Sequence, residues 1–115
     1  MFFFDSLVRV RAGERTDRGG NKVADWSDAA VNRLPIDQLN IQPAIQNEGQ
    51  DDTRNSVTTG WRVQSEEGTR PDITAADRLE WRGGTYEVDG EVAEWPDPLN
   101  GAVHHIEFTM IRATG

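Results

Sequence analysis

Apolar and polar residues alternate with a period of two along much of this chain, most clearly in residues 77–90. Leu79 and Trp81 stand two residues apart there, and so do Tyr86 and Val88 after a pair of glycines. Neighbouring side chains of a strand point to opposite faces, so this pattern predicts a β-hairpin with one apolar face. We therefore expect these four side chains to lie in the core.

The register of this hairpin has two solutions. A Gly83–Gly84 loop places Glu80 opposite Glu87, whereas a loop one residue earlier places Arg78 opposite Glu87. The first solution suits a primed turn, and the second pairs opposite charges across the strands. Both keep the same four apolar side chains on one face, so the sequence leaves the register open.

Other alternating stretches predict further strands, joined by segments rich in glycine, proline and other turn residues. In the first stretch we assign Val8 and Val10 to the apolar face, opposite Leu7 and Arg9. The last stretch carries Phe108 on its apolar face and is predicted to be the longest strand. The predicted strands outside the hairpin are residues 6–12, 22–26, 37–45, 57–65, 91–95 and 103–113.

Two prolines modify this picture. Ser27 is a good helix N-cap, and Pro35 limits any helix that follows to about two turns, which predicts a short helix in residues 27–35. Pro43 lies inside an alternating stretch, which favours an edge position or a bulge.

The whole pattern predicts an all-β fold, a small β-barrel or sandwich of six to eight short strands with at most a short helix. No linker divides the chain, so we expect residues 1–115 to form a single domain.

A long polar loop separates two of the predicted strands. It contains no large apolar side chain, and a loop of this length in a compact domain is usually functional or mobile. Its residues are Gln46, Asn47, Glu48, Gly49, Gln50, Asp51, Asp52, Thr53, Arg54, Asn55 and Ser56.

Charge and composition narrow the possible functions. Asp and Glu number 20 against 12 Lys and Arg, which gives a formal net charge of −8. Phosphate binding relies on clustered cations, so this balance argues against a tight grip on nucleic acid. The absence of cysteine excludes a disulfide framework and thiolate chemistry. No apolar run approaches the ~18 residues that a membrane span needs, so we expect no membrane partner.

The first residues after Met1 are apolar, but they lack the basic flank of a signal peptide. They are either a frayed terminus or a contact with a neighbouring subunit, because three exposed phenylalanines favour aggregation unless something covers them. These possible contact residues are Phe2, Phe3 and Phe4.

The sequence offers little catalytic or metal-binding chemistry. His104 and His105 are adjacent on a predicted strand, so their side chains should point to opposite faces and not share a metal. We expect His104 to be a partly buried structural residue. Asp51 and Asp52 do not reproduce the ligand spacing of a calcium loop. No nucleophile or phosphate-loop motif is present, so we expect no enzyme activity, no metal and no cofactor.

The four tryptophans have two interpretations. They could form a platform for carbohydrate, or they could pack in the core. Trp61 and Trp81 both lie on the apolar parity of predicted strands, which favours the core.

Much of the chain resembles the head closure, or head-to-tail stopper, proteins of tailed bacteriophages. The order and spacing of several short strings, more than any single one, make the resemblance specific. The strings that carry it are Val8-Arg-Val-Arg-Ala-Gly13, Asp17-Arg-Gly-Gly-Asn21, Asp25-Trp26, Val57-Thr-Thr-Gly-Trp-Arg-Val63, Ile73-Thr-Ala-Ala-Asp-Arg-Leu-Glu-Trp81, Gly84-Thr-Tyr-Glu-Val-Asp-Gly90, Trp95-Pro-Asp-Pro-Leu-Asn-Gly101 and His105-Ile-Glu-Phe108.

The resemblance implies a small β-barrel that assembles into a homo-oligomeric ring, dodecameric in the better-known members of the family. Such a ring lies between a portal-bound adaptor above and a tail terminator or tail tube protein below, at the head–tail interface of the virion, and it is assembled in the host cytoplasm. It retains packaged double-stranded DNA without binding it specifically. A long loop of these proteins points into the channel, and residues 46–56 match it by position and composition. The alternatives are another connector component, such as a tail terminator, or a monomeric β-sandwich that binds a ligand.

Overall fold

Six antiparallel strands close into a barrel in the computed structural model, which describes residues 2–45 and 58–113. The strands are β1 (Asp5–Arg11), β2 (Gly13–Thr16), β3 (Lys22–Asp25), β4 (Asn32–Ile45), β5 (Thr58–Ser65), β6 (Arg78–Trp81), β7 (Gly84–Pro96) and β8 (Val103–Arg112). Their order around the barrel is β1-β4-β5-β8-β7-β6, and β2 pairs with β3 in a separate two-stranded sheet. The prediction of a small all-β barrel is confirmed, while the assignment of one domain stays a prediction.

The core fills the barrel with alternate side chains from the barrel strands. Burial is most complete for side chains from β4, β5, β6 and β8, which supply the residues with almost no exposed surface. The apolar residues among them are Leu39, Val63, Leu79, Ile106, Phe108 and Met110, and Ser65 of β5 is buried as completely. The predicted apolar face of β8 is therefore confirmed.

The hairpin of β6 and β7 adopts the charge-paired register, in which Arg78 lies opposite Glu87. Its loop consists of Arg82 and Gly83, whose φ angles of 47° and 76° are both positive. Two positive φ angles are typical of a type I′ turn, which matches the twist of the flanking strands. The four predicted core side chains of this hairpin lie inward: three are buried, and Val88 is partly buried against them.

The predicted apolar face of β1 is wrong. Leu7 pairs with Ile36 and belongs to the core cluster, whereas Val8 lies half-buried on the other face. Arg9 shares the inward parity of Leu7 and is only 5% exposed. Its guanidinium donates to Asp72 and to the side chain of Asn32, so polar partners allow a charged residue to occupy this position. Val10 is also buried, but outside the core cluster.

The predicted short helix is absent from residues 27–35. Ser27 accepts hydrogen bonds from the backbone of Ala30 at 3.0 Å and Val31 at 3.1 Å, which makes a single turn. β4 begins at once after this turn because Asn32 pairs with Arg11 of β1. Long-range strand pairing therefore overrides the local preference for a helix.

A bulge in β4 explains how this strand directs both even-numbered and odd-numbered side chains into the core. Gln38 has a φ of 57°, and the pairing with β1 shifts between Ile36 and Leu39, so both of these residues face inward. Past Leu39, the described ladder pairs β4 with β5 alone. Pro43 lies in this part, and the pairing shifts just after it, between Ala44 and Ile45, which agrees with the predicted edge position or bulge.

β8 is not the longest strand. It has 10 residues, whereas β4 has 14 and β7 has 13. β7 joins the second arm of the hairpin to the strand predicted at residues 91–95. A shift in its pairing between Asp89 and Ala93, with a φ of 84° at Gly90, makes this continuation possible.

Candidate functional site

The predicted channel loop, residues 46–56, lies outside the described residues. The structure does describe its anchor points, because β4 and β5 remain paired up to Ile45 and Thr58. The chain therefore leaves and re-enters the barrel wall at neighbouring positions.

The phenylalanines at the N-terminus are held against the barrel, with two of their rings in solvent. Phe2 is 75% exposed and Phe4 is 87% exposed, and their rings stack with centroids 5.7 Å apart. The side-chain amide of Asn40 donates to the carbonyl oxygen of Phe2 at 2.8 Å, and the carboxylate of Asp5 accepts from the backbone of Ile41 at 2.8 Å. These bonds hold the segment beside β4, and the role of Phe2 to Phe4 as a subunit contact stays a prediction.

The last residues of β7 and the first residues of β8 extend beyond the region in which β8 pairs with β5. β8 pairs with β5 only through Glu107–Ile111, whereas its earlier residues pair with β7 alone. We call residues 93–105 the β7–β8 arm. A salt bridge of 2.8 Å between Arg70 and Glu94 and a hydrogen bond from Gly68 to the carbonyl of His104 brace it.

The turn of the arm presents apolar side chains to solvent. Leu99 is 94% exposed and Trp95 is 48% exposed. Asp97 orders this turn, because its side chain accepts from the backbone of Leu99 and its carbonyl accepts from Gly101. The string Trp95-Pro-Asp-Pro-Leu-Asn-Gly101 predicted the turn, but not that it would be an exposed apolar tip.

The two histidines touch each other, contrary to the expectation that they would point to opposite faces. Their Nδ1 atoms are 2.7 Å apart, at a place where the pairing of β7 with β8 is irregular. His105 also contacts Glu107 at 2.8 Å, and Glu107 accepts from Arg62 at 2.7 Å. Desolvation opposes ionisation of Glu107, but the bonds from His105 and Arg62 outweigh it and hold the pKa of Glu107 below its ordinary value. The exposed Trp95 stacks on His105, so this chain of contacts supports the arm.

Within residues 2–45 and 58–113, no three His, Asp or Glu side chains are grouped to hold a metal ion. No helix in the same residues is long and apolar enough to cross a membrane.

An ionic network links β1 to the segment that precedes β6, and the sequence did not predict it. Arg11 donates to Asp77 through two bonds of 2.9 Å and also to Asp72. Desolvation raises the pKa of Asp77, but the bonds from Arg11 and the backbone of Thr74 outweigh it, so the pKa lies below its ordinary value. The side-chain hydrogen bond from Arg11 likewise lowers the pKa of Asp72.

Two of the tryptophans belong to the core. Trp81 is 7% exposed and meets Trp61 edge-on, with centroids 4.7 Å apart. Trp26 lies under the guanidinium of Arg78 at 4.1 Å. Only Trp95, among the four, has about half of its surface in solvent. These positions support the core interpretation over a carbohydrate platform.

These features define a small closed β-barrel with an ordered apolar arm and an exposed aromatic terminus. One solved structure of similar fold is a chain of the "Virion of native gene transfer agent (GTA) particle", with a TM-score of 0.55 and 15% sequence identity. The match covers 98% of this chain and 97% of that chain. At this identity the likeness shows a shared fold. No family model matches the chain, and a search of curated proteins finds no match.

Proposed function

We propose that this protein is a structural virion protein that forms the stopper ring of a phage-like head-to-tail connector. The ring closes the DNA-filled capsid, retains the genome and provides a docking surface for the tail. The observation that carries the proposal is the similarity in fold, over nearly the whole of both chains, to a component of a gene transfer agent virion. The order of the sequence strings that resemble head closure proteins supports the same assignment independently.

The surface chemistry supports assembly into a ring. Exposed apolar side chains on an ordered frame are typical of protein interaction sites. Among residues 2–45 and 58–113, the N-terminal phenylalanines and the tip of the β7–β8 arm are places of this kind. Each copy also carries a formal charge of −8. A ring of such copies repels the DNA phosphates, which lets DNA slide through the lumen with little adhesion.

The strands that flank the polar loop support its assignment as a channel gate. β4 and β5 pair along seven residues up to the loop, so their ends form a fixed support. The loop residues, Gln46 to Ser56, are polar and can remain solvated in a water-filled lumen. In this proposal the adaptor binds above the ring, and a tail terminator or tail tube protein binds below it.

Imaging of particles tests the ring. We expect negative-stain images and mass photometry to show rings, either for the chain alone or after co-expression with the neighbouring connector proteins. A monomer in both preparations contradicts the proposal and favours a ligand-binding module. Rings that bind tail proteins but not the head adaptor favour a tail terminator.

Deletion of Asp51 to Asn55 tests the gate. We expect the shortened protein to fold and assemble, because the deleted residues lie beyond the paired ends of β4 and β5, while filled heads that carry it lose DNA. Nuclease-protected DNA per head measures the loss, and circular dichroism checks the fold. A Gly-Ser replacement of equal length is the control that separates loop length from loop chemistry. Normal retention of DNA in the deletion variant contradicts the assignment.

A further inference from the structure

The arm tip, which comprises Trp95, Pro96, Pro98 and Leu99, is an apolar surface that the described part of its own chain leaves exposed. Its backbone is fixed by four hydrogen bonds within residues 97–102. An ordered apolar turn loses little conformational freedom when a partner covers it, so it is suited to dock as a rigid unit.

A groove on the outside of the barrel provides a surface of matching chemistry. It runs over β1, where Val8 pairs with Pro35 on one side and with Glu80 on the other. These three residues line the groove together with Trp81 and Arg82, and its volume is about 450 Å³. Val8 is half-buried and Pro35 is exposed, so this pair offers accessible apolar surface, while the charged Asp37, Glu80 and Arg82 also line the groove. We call it the β1 groove.

The two surfaces lie toward opposite ends of β7. Trp81 of the groove lining pairs with Gly84, the first residue of this strand, whereas Trp95 and Pro96 of the tip are its last two residues. A head-to-tail contact between copies needs two different surfaces, and in a ring of many copies these lie nearly opposite each other. The arm tip and the β1 groove meet this requirement. The N-terminal phenylalanines do not, because Phe2 is bonded to Asn40, which follows Asp37 of the groove lining closely along β4.

We propose that the arm tip of one copy docks into the β1 groove of the next copy around the ring. Leu99 and Trp95 enter the groove against Val8 and Pro35, and repetition of this contact closes the ring. The inference rests on the proposed ring and specifies which surfaces form it.

Disulfide cross-linking tests the contact, because the natural chain has no cysteine. The double variant Leu99→Cys with Pro35→Cys places one thiol on the tip and one in the groove. We expect mild oxidation of assembled protein to give a ladder of cross-linked oligomers on non-reducing gels. The control pairs Leu99→Cys with Ala75→Cys, since Ala75 is exposed but lies outside the groove. This control should give no ladder.

The outcomes distinguish this inference from the proposed function. The head-to-tail contact is contradicted if rings form without a cross-link between positions 35 and 99, or if Leu99→Cys alone gives dimers. Either result leaves the proposed stopper ring intact. A failure to assemble both alone and with the neighbouring connector proteins overturns both. Cross-links from Pro35→Cys to Phe2→Cys would instead assign the groove to the N-terminus of another copy.

A charged tip provides a second test. We expect Leu99→Asp to weaken association of the chain by at least about tenfold, because a carboxylate replaces an apolar side chain that becomes buried. Sedimentation velocity measures the change. Ala75→Asp adds the same charge at another exposed turn and should leave association unchanged. Equal association of the two variants contradicts the proposed contact.

Discussion

Replacement of Trp81 by alanine should lower the free energy of unfolding by about 3–5 kcal/mol, the range for removal of a large aromatic side chain from a core. Trp81 is 7% exposed and contacts two other aromatic rings edge-on, Trp61 at 4.7 Å and Tyr86 at 5.9 Å between centroids. Its loss leaves a cavity beside β5 and β7 that neighbouring strands of a closed barrel cannot easily fill. Urea unfolding followed by the circular dichroism of the backbone measures the change, because this signal does not rely on the fluorescence of the tryptophan that is removed.

Trp95→Ala is the matched control. The same side chain is removed, but Trp95 is 48% exposed and stacks on the ring of His105. We expect a much smaller change in stability together with weaker assembly, because this residue belongs to the arm tip. If the two variants have equal unfolding midpoints, Trp81 does not have the core role that its burial indicates.

Local patterns predicted those parts of the fold that local chemistry determines. The alternation around the β6–β7 hairpin identified its core side chains, and charge pairing between Arg78 and Glu87 pointed to the register that forms. Glycine alone did not locate the turn. Arg82 adopts a positive φ, while its guanidinium lies 4.6 Å from the ring of Trp81, and the sequence gives no local signal for that contact.

The errors in the prediction come from contacts between residues far apart in sequence. The charge of Arg9 indicated that its side of β1 is the polar face. Arg9 is nevertheless buried, because Asp72, 63 residues later, accepts its hydrogen bonds. The preference of residues 27–35 for a helix is likewise overridden when Asn32 pairs with β1. Alternation shows which residues share a face of a strand, but it cannot show which of the two faces packs against the rest of the protein.

The sequence likewise predicted only some parts of the candidate functional site. Composition identified the N-terminal phenylalanines and the polar loop as unusual segments, and prolines identified the turn of the arm. The arm tip as a surface was not predictable, because its exposure depends on where β5 stops pairing with β8. The β1 groove depends in turn on which face of β1 lies outward, which the alternation assigned wrongly.

Removal of the Asp77 carboxylate should also destabilise the barrel strongly. In Asp77→Ala we expect a loss of about 2–3 kcal/mol at neutral pH, because the side chain of Asp77 is 1% exposed and accepts from Arg11 and from the backbone of Thr74. The value is below that of a fully buried ion pair, since Arg11 is 36% exposed and water can solvate it. Asp72→Ala is the control: Asp72 binds the same arginine but is 66% exposed, so its loss should matter much less.

The pH dependence of Asp77→Asn separates the charge of Asp77 from its packing. The pKa of Asp77 is lowered in the folded state, so its ionised form contributes stability above the unfolded pKa of about 3.9, and this contribution is lost as the pH falls through the folded pKa. The difference in unfolding free energy between the natural protein and Asp77→Asn should therefore be largest at neutral pH and shrink below about pH 4. Urea unfolding of both proteins across this range measures it, and the other carboxylates titrate in both and cancel in the difference. A difference that stays constant with pH would mean that Asp77 acts through its shape and neutral hydrogen bonds, and that the ionic link between β1 and the segment before β6 contributes nothing to stability.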